Sequence, residues 1–285
     1  ACFFDRPEQL VCLWRVQCVG PDRRPRVSVD NLLTIKSVSV WAAGVDGRPP
    51  DAKPDASLLH ARLRRRTSFL TRMAVATFAE ARAKAGSDGS QIPVVFGSVY
   101  GEIETTYELL RQLGEGPGAA LSPTKFHNSV HNTAPGYLSI ACQNREINTA
   151  ITAGWSTLAM GMVEVAALLQ THAEISEVAL IVAEEAMPAD LVQAGASYDS
   201  LAATFVVARA PAGDSGWQLR HQVPTSTRPD VPPAFAHNPC SPALSLAAID
   251  GTSSKEGDEL ILAPGDGAVW MLVHQCSHES EVVGG

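Results

Sequence analysis

The sequence lacks any uninterrupted apolar run of the roughly 18 residues that a membrane-crossing helix needs, so no segment of it is expected to span a bilayer. It also lacks a cysteine framework. The six cysteines stand singly at 2, 12, 18, 142, 240 and 276 with no C-x-x-C pair, which argues against a disulfide scaffold and for free thiols in a reducing compartment, the cytoplasm. Positive charge is scarce: 22 Lys and Arg stand against 30 Asp and Glu, a net charge of -8, and the basic residues concentrate before residue 85. No continuous cationic face for nucleic acid results. The opening stretch ACFFDRPEQLVCLWRV has no basic head, and Asp5, Arg6 and Glu8 interrupt its apolar residues, so it does not read as a signal peptide. Internal repeats are absent as well.

What is present suits a folded domain with a real core. Of 285 residues, 45% are hydrophobic and 18% charged, enough for one large globular domain or two small ones. Residues 1–33, ending in the Pro/Arg-rich GPDRRPRVSVD, read as a poorly fixed extension, 34–275 as the domain and 276–285 as a tail. Within the domain, TIKSVSVWAAG (34–44) alternates like a strand, and the apolar spacing from Thr67 to Ala85 predicts a helix that Gly86 stops. IPVVFGS (92–98) predicts a strand, GEIETTYELLRQL a helix, GEGPGAALSPTKF a loop, HNTAPGYLSIACQ a short helix and REINTAI a strand. Residues 155–171 predict a helix apolar on nearly every side, hence buried. EVALIVAEEA (177–186) reads as a continuously apolar strand, and LAATFVVARAP and GWQLRHQ as two more. A short helix ALSLAAI and a hairpin of ELILAP with AVWMLVHQ complete the chain. The class is α/β: a mixed central sheet of about five strands with helices on both faces, plus a C-terminal β-hairpin.

Several motifs that could carry chemistry fall short of it. The glycines at 114, 116 and 118 have no strand before them, so the phosphate-cradling geometry of a dinucleotide fingerprint is not formed. GWSTL has Leu158 where a nucleophile elbow needs its second glycine. His127 and His131 have the i, i+4 spacing of a metal pair, but no third ligand is near in sequence and Pro123 and Pro135 bracket them; no metal site is expected. The run Arg62-Leu63-Arg64-Arg65-Arg66 reads either as a solvated loop leading into a helix or as a contact for an acidic partner.

One longer segment is more specific. VVFGSVYGEIE, then LSPTKFHNSVHNTAPGYLSIACQ with Ser122, Pro123, Asn132, Gly136, Leu138, Ser139 and Ile140, then INTAITAG with Thr149, Ala150 and Gly154, and finally EVALIVAEEA run in register over residues 92–186. This segment resembles the N-terminal half of the β-ketoacyl synthases, the thiolase-like condensing enzymes. RRRTSFLTRMAVATFAEA and NPCSPALSLAAI extend the likeness to the short stand-alone ketoacyl-synthase N-terminal proteins of aryl-polyene pigment pathways, which act like chain-length factors.

The resemblance implies a thiolase-like half-fold and a strand-to-helix corner where the family mounts a cysteine nucleophile. Here that position is Ile151, and an aliphatic chain forms no acyl thioester. The family's catalytic histidines belong to a second half, for which the chain is roughly 150 residues too short. DGTSSKEGDEL echoes one histidine motif, but with Asp250 in place of the histidine, and reads as a loop. A half on its own is also expected to leave an apolar surface that a partner covers. The resemblance therefore implies a silent subunit paired with an active β-ketoacyl synthase, or with itself as a homodimer, in polyketide or fatty-acid-like synthesis and without a cofactor. Its tunnel candidates are Thr106, Tyr107, Phe126, His127 and Ile151, each equally readable as packing. An acyl carrier protein would dock on Arg62, Arg64, Arg65 and Arg66. Two alternatives stay open: an acyltransferase or thioesterase using His127 or His131 with Ser129 or Ser156, and a carrier-binding homodimer.

Overall fold

The computed structural model describes residues 32–45, 48–49, 51–116, 118–227, 230–247, 254–265 and 267–276. The N-terminal extension up to residue 31, the cysteines at 2, 12 and 18, Asp250 and the tail beyond Cys276 lie outside these. Among the described residues eight strands form one sheet: β1 (Leu33–Ala42), β2 (Val94–Gly97), β3 (Asn148–Ile151), β4 (Glu177–Glu184), β5 (Leu201–Arg209), β6 (Gly216–Gln222), β7 (Glu259–Ile261) and β8 (Val269–Gln275), in the order β3-β2-β4-β5-β1-β6-β8-β7. The expectation of about five strands thus undercounts the sheet. The five strands from β3 to β1 are there, but the hairpin does not stand apart from them. β6 pairs with β8 over its full length and meets β1 at one residue pair, Leu33 with Trp217, which fuses the C-terminal strands to the central five.

The helices are α1 (Ala61–Arg64), α2 (Phe69–Ala85), α3 (Ile103–Gly114), α4 (Pro123–Asn128), α5 (Thr133–Cys142), α6 (Thr157–Thr171) and α7 (Pro242–Ala247). Local chemistry sets their ends. Ser68 caps α2 by accepting from the Thr71 N–H at 3.0 Å, and Gly86, at φ 69°, closes it in the left-handed conformation that glycine adopts without strain. Ser122 caps α4 with Pro123 in its first turn, so PTKF, expected as loop, is helical.

β2 is parallel to β3 and β4, whereas β5 runs antiparallel to β4 and to β1. The alternation of β4 shows why both faces are covered. Val178, Leu180 and Val182 pack into one core with α6 and α7, and Ala179, Ile181 and Ala183 into a second with α2 and α5. A strand buried on both sides has no use for polar alternation, which is what EVALIVAE displays. On the second face polar groups are matched in pairs: Thr204 donates to Thr77 at 2.8 Å and Ser37 to the Ala81 carbonyl at 2.7 Å. Helix α6 is buried along most of its length, as its composition predicts.

Candidate functional site

The parallel strands β2, β3 and β4 bring their C-terminal ends to one edge of the sheet, the position where open α/β sheets gather their sites. Ile151 is the last residue of β3 and lies beside Gly97 of β2; its carbonyl accepts the Ser98 N–H at 3.2 Å. Its side chain is half-buried and packs against the core beneath α6. The turn that follows is tied internally: Thr157 Oγ1 accepts from the Ala153 N–H at 3.0 Å and donates to the Gly154 carbonyl at 2.7 Å. Close approach explains two small residues. A Cβ on Gly97 would stand 2.9 Å from Thr157 Cγ2, and one on Gly161 would stand 2.6 Å from Leu180 Cδ1, so α6 can sit this near β2 and β4 only over bare backbone.

The other expected site residues fall into two groups. Asn128, at the end of α4 and buried, donates its side-chain N–H to the Arg66 carbonyl and accepts from the Tyr137 hydroxyl at 3.0 Å. This bridge places the Arg62–Arg66 segment beside α4 with its Phe126, 64% exposed, and His127, also exposed. Arg62, Arg65 and Arg66 are exposed and Arg64 half-buried, and none of the four forms an ion pair among the described residues. Cationic and tunnel candidates some 60 residues apart in the chain are therefore neighbours. Thr106 and Tyr107 sit apart on α3, where the Tyr107 hydroxyl donates to Asp190 in the turn after β4. Burial and the Asp190 charge both add to that hydrogen bond in raising the Tyr107 pKa. No hydrogen bond or ring contact among the described residues joins Ile151 to any of the other candidates.

The two histidines diverge. His131 Nε2 lies 2.8 Å from the Ser98 carbonyl with its ring against Phe96, whereas His127 stands edge-on to Tyr137. Ser129 donates to the Phe126 carbonyl at 2.9 Å. Neither histidine is hydrogen-bonded to Ser129 or Ser156, so the geometry of an activated serine is not assembled. No group of three or more His, Cys, Asp or Glu side chains placed to hold a metal occurs among the described residues.

The sequence reading passed over the most polar part of this edge. Glu184 closes β4 and Glu185 follows it, and Glu102 precedes α3; all three are buried. Glu184 accepts from Ser98 Oγ at 3.1 Å, from the Tyr100 N–H at 3.4 Å and from the Val99 N–H. Glu185 accepts the Glu104 N–H at 3.1 Å, and Glu102 accepts from Thr71 Oγ1 at 2.7 Å. Burial pushes the Glu102 and Glu184 carboxyls up to about 7, against the pull of their donors. Burial, with the charge of Glu102 beside it, pushes Glu185 up to about 8. Tyr198, whose buried hydroxyl has no hydrogen-bond partner among the described residues, and Cys240 are raised by burial and then by the Glu184 charge close to them. The signal was the pair of acids ending an otherwise apolar strand, which look like a solvated strand end until β5 and the segment before α7 are seen to cover them.

This geometry, a glycine-lined corner over a buried helix at the ends of parallel strands, can be set against known proteins. The family model of the β-ketoacyl synthase N-terminal domain matches residues 39–263. Among solved structures, the ketosynthase ApeO in complex with its chain length factor ApeC, from Xenorhabdus doucetiae, superposes with a TM-score of 0.59 at 20% identity, covering 85% of this chain and 99% of that one. A β-ketoacyl synthase from Burkholderia phymatum superposes with a TM-score of 0.50 at 12% identity, covering 82% and 75%. No curated protein sequence matches. At such identities the superpositions establish the shared fold, and the family match over most of the chain establishes kinship: the protein belongs to the β-ketoacyl synthase N-terminal-domain family.

Proposed function

We propose that the chain is a catalytically silent, chain-length-factor-type subunit that pairs with an active β-ketoacyl synthase and shapes its acyl tunnel in polyketide, aryl-polyene or fatty-acid-like synthesis in the cytoplasm. The observation that carries this reading is Ile151: the strand end, glycine contacts and buried helix of a nucleophile corner are all present, and the side chain at its tip is a hydrocarbon. A nucleophile could not be replaced by isoleucine and leave thioester chemistry possible, whereas a tunnel wall could. A ketosynthase in complex with its chain length factor shares the fold, which supports the same assignment.

A surface for the partner supports the reading too. β3 is an edge strand of four residues, and exposed apolar side chains surround it: Ile147 just before it, Trp155 just after it, and Ile140, 62% exposed, on α5, which packs against it. Unpaired backbone groups beside apolar side chains favour association. The unpaired arginines beside α4 suit an acidic carrier protein, which would approach next to Phe126.

Co-expression with a β-ketoacyl synthase from the same gene neighbourhood tests the proposal. A stable hetero-complex is expected, with product length changed by Ile151→Ala or Phe126→Ala and the isolated chain inert toward acyl thioesters. A chain that forms no such complex yet turns over acyl thioesters by itself would refute it.

A further inference from the structure

The loop that leaves β2, residues 98–101, is held from three other parts of the chain. At the corner, the Ile151 carbonyl accepts the Ser98 N–H at 3.2 Å, and Thr152 Oγ1 donates to the Val99 carbonyl at 3.3 Å. From the turn between α4 and α5, His131 Nε2 donates to the Ser98 carbonyl at 2.8 Å. Its ring lies against Gly101, where φ is 58° and an added Cβ would stand 3.2 Å from His131 Cδ2. From the end of β4, Glu184 accepts from Ser98 Oγ at 3.1 Å, from the Val99 N–H and from the Tyr100 N–H at 3.4 Å. Ser98 Oγ in turn accepts the Gly101 N–H at 2.9 Å. The loop then runs on into α3, whose Glu104 N–H is accepted by Glu185 at 3.1 Å.

Of these holds, Glu184 alone bonds three successive residues, and it does so from a rigid support: Val178 to Ala183 of β4 are all fully buried. Stability alone does not favour an acid there. A carboxylate taken out of water costs free energy that its hydrogen bonds only offset, and Glu184 forms no ion pair among the described residues. What its two oxygens supply is geometry, because together they span the donors of Ser98, Val99 and Tyr100 and hold the loop in one arrangement. We propose that Glu184 is a positioning residue for the tunnel wall: its carboxylate fixes the loop, and the loop fixes the Ile151 corner and the start of α3, which carries Thr106 and Tyr107. Fully buried, Glu184 meets no acyl chain itself and acts through the backbone of Ser98 and Val99. This role rests on the chain-length-factor reading. Without the carboxylate, the Val99 and Tyr100 N–H groups lose their acceptor and the loop shifts to find another. The corner is bonded to Ser98 and Val99, so it moves with them, and a wall displaced by the length of a carbon–carbon bond changes which chain still fits.

Product analysis of the purified complex with the synthase, at equal amounts of assembled complex and with Ile151→Ala alongside, tests this. Glu184→Ala is expected to change product length, the ratio of native-length to neighbouring products falling about tenfold, the low end of what the fit of one methylene is worth. Glu184→Gln keeps the shape and one oxygen for the Ser98 and Val99 donors, and is expected to restore most of the native distribution. A native distribution from Glu184→Ala, whatever stability it loses, overturns the proposal. If Ile151→Ala shifts length and Glu184→Ala does not, only the positioning role falls; if neither does, the chain-length reading falls with it. Should Glu184→Ala not assemble, Thr152→Val decides, because Thr152 is exposed and the variant breaks the bond from the corner to the Val99 carbonyl. A shifted product length there supports the loop as the link, and an unchanged one overturns it.

Discussion

Ile151 and Gly97 face each other across β2 and β3, yet different physics governs them. Gly97 is fully enclosed, and its nearest neighbours, Thr157 Cγ2 and Val182 Cγ1, belong to β-branched side chains that cannot rotate away at little cost. Gly97→Ala is expected to lower stability by about 1–3 kcal/mol, the usual cost of overpacking, seen as a lower urea midpoint. Ile151 is only half-buried, so Ile151→Ala should cost about 1 kcal/mol or less by area, and its effect belongs in product length. A third residue, Asn128, reads in the sequence as one of eight unspecified positions between Pro123 and Asn132. In the fold it is a buried amide joining the Arg66 carbonyl to the Tyr137 hydroxyl. Asn128→Ala leaves both without their partner and should cost about 1–3 kcal/mol; a urea midpoint displaced by less than a tenth of that would rule the bridge out as a support. Ile151 was legible because a strand, a turn and a helix are local patterns. The partners of Asn128 were not, since one of them lies 62 residues away.

At the scale of elements, β4 shows where periodicity succeeds and where it stops. EVALIVAE is apolar throughout, and burial on both faces follows. That Glu184 at its end and Glu185 just after it are also buried depends on chain arriving from β5, α2 and the segment before α7, which no window around residue 184 contains. Their titration sets a direction for stability. Burial raises Glu102 and Glu184 to about 7 and Glu185 to about 8 in the folded chain, above the ordinary glutamate value of 4.5 that the unfolded chain should show. Between those limits the folded state binds more protons than the unfolded state, so the contribution is complete below about pH 4.5 and is lost as pH rises through 7 and 8. Asp88, Glu174 and Glu259 have lowered values and lose their stabilising contribution only as pH falls below that window. Urea midpoints are therefore expected to decline from about pH 5.5 to about pH 8.5, on the order of a few kcal/mol in total, and Glu185→Gln should flatten the decline. A midpoint that climbs over the same range would show these carboxyls to be ionised throughout.

Taken whole, the molecule is a sheet with unlike ends. On one side β6, β8 and β7 continue from β1 through a single residue pair, a long-range joint that the hairpin signal in ELILAP and AVWMLVHQ could not reveal. On the other side β3 ends the sheet, and its outer edge pairs with no strand among the described residues. A half-fold was expected to leave an apolar surface for a partner to cover; α6 is packed into the core, Met160 and Val163 included, and large exposed apolar side chains flank β3 and stand on α3. If this flank is where a synthase sits, charge placed there must act on association and not on folding, because Ile140 and Ile147 already face solvent in the single chain. Ile140→Lys with Ile147→Lys is expected to leave the urea midpoint within about 0.5 kcal/mol of the native value while weakening capture by the synthase at least tenfold. Arg62→Glu with Arg65→Glu should do the reverse for the two partners, sparing synthase capture and reducing carrier-protein binding. Those arginines stand beside α4, and the unpaired charges they carry attract an acidic surface without contributing to any ion pair of the fold. Equal loss of both partners in both double variants would place the two surfaces on one contact and remove the separation of subunit and carrier sites.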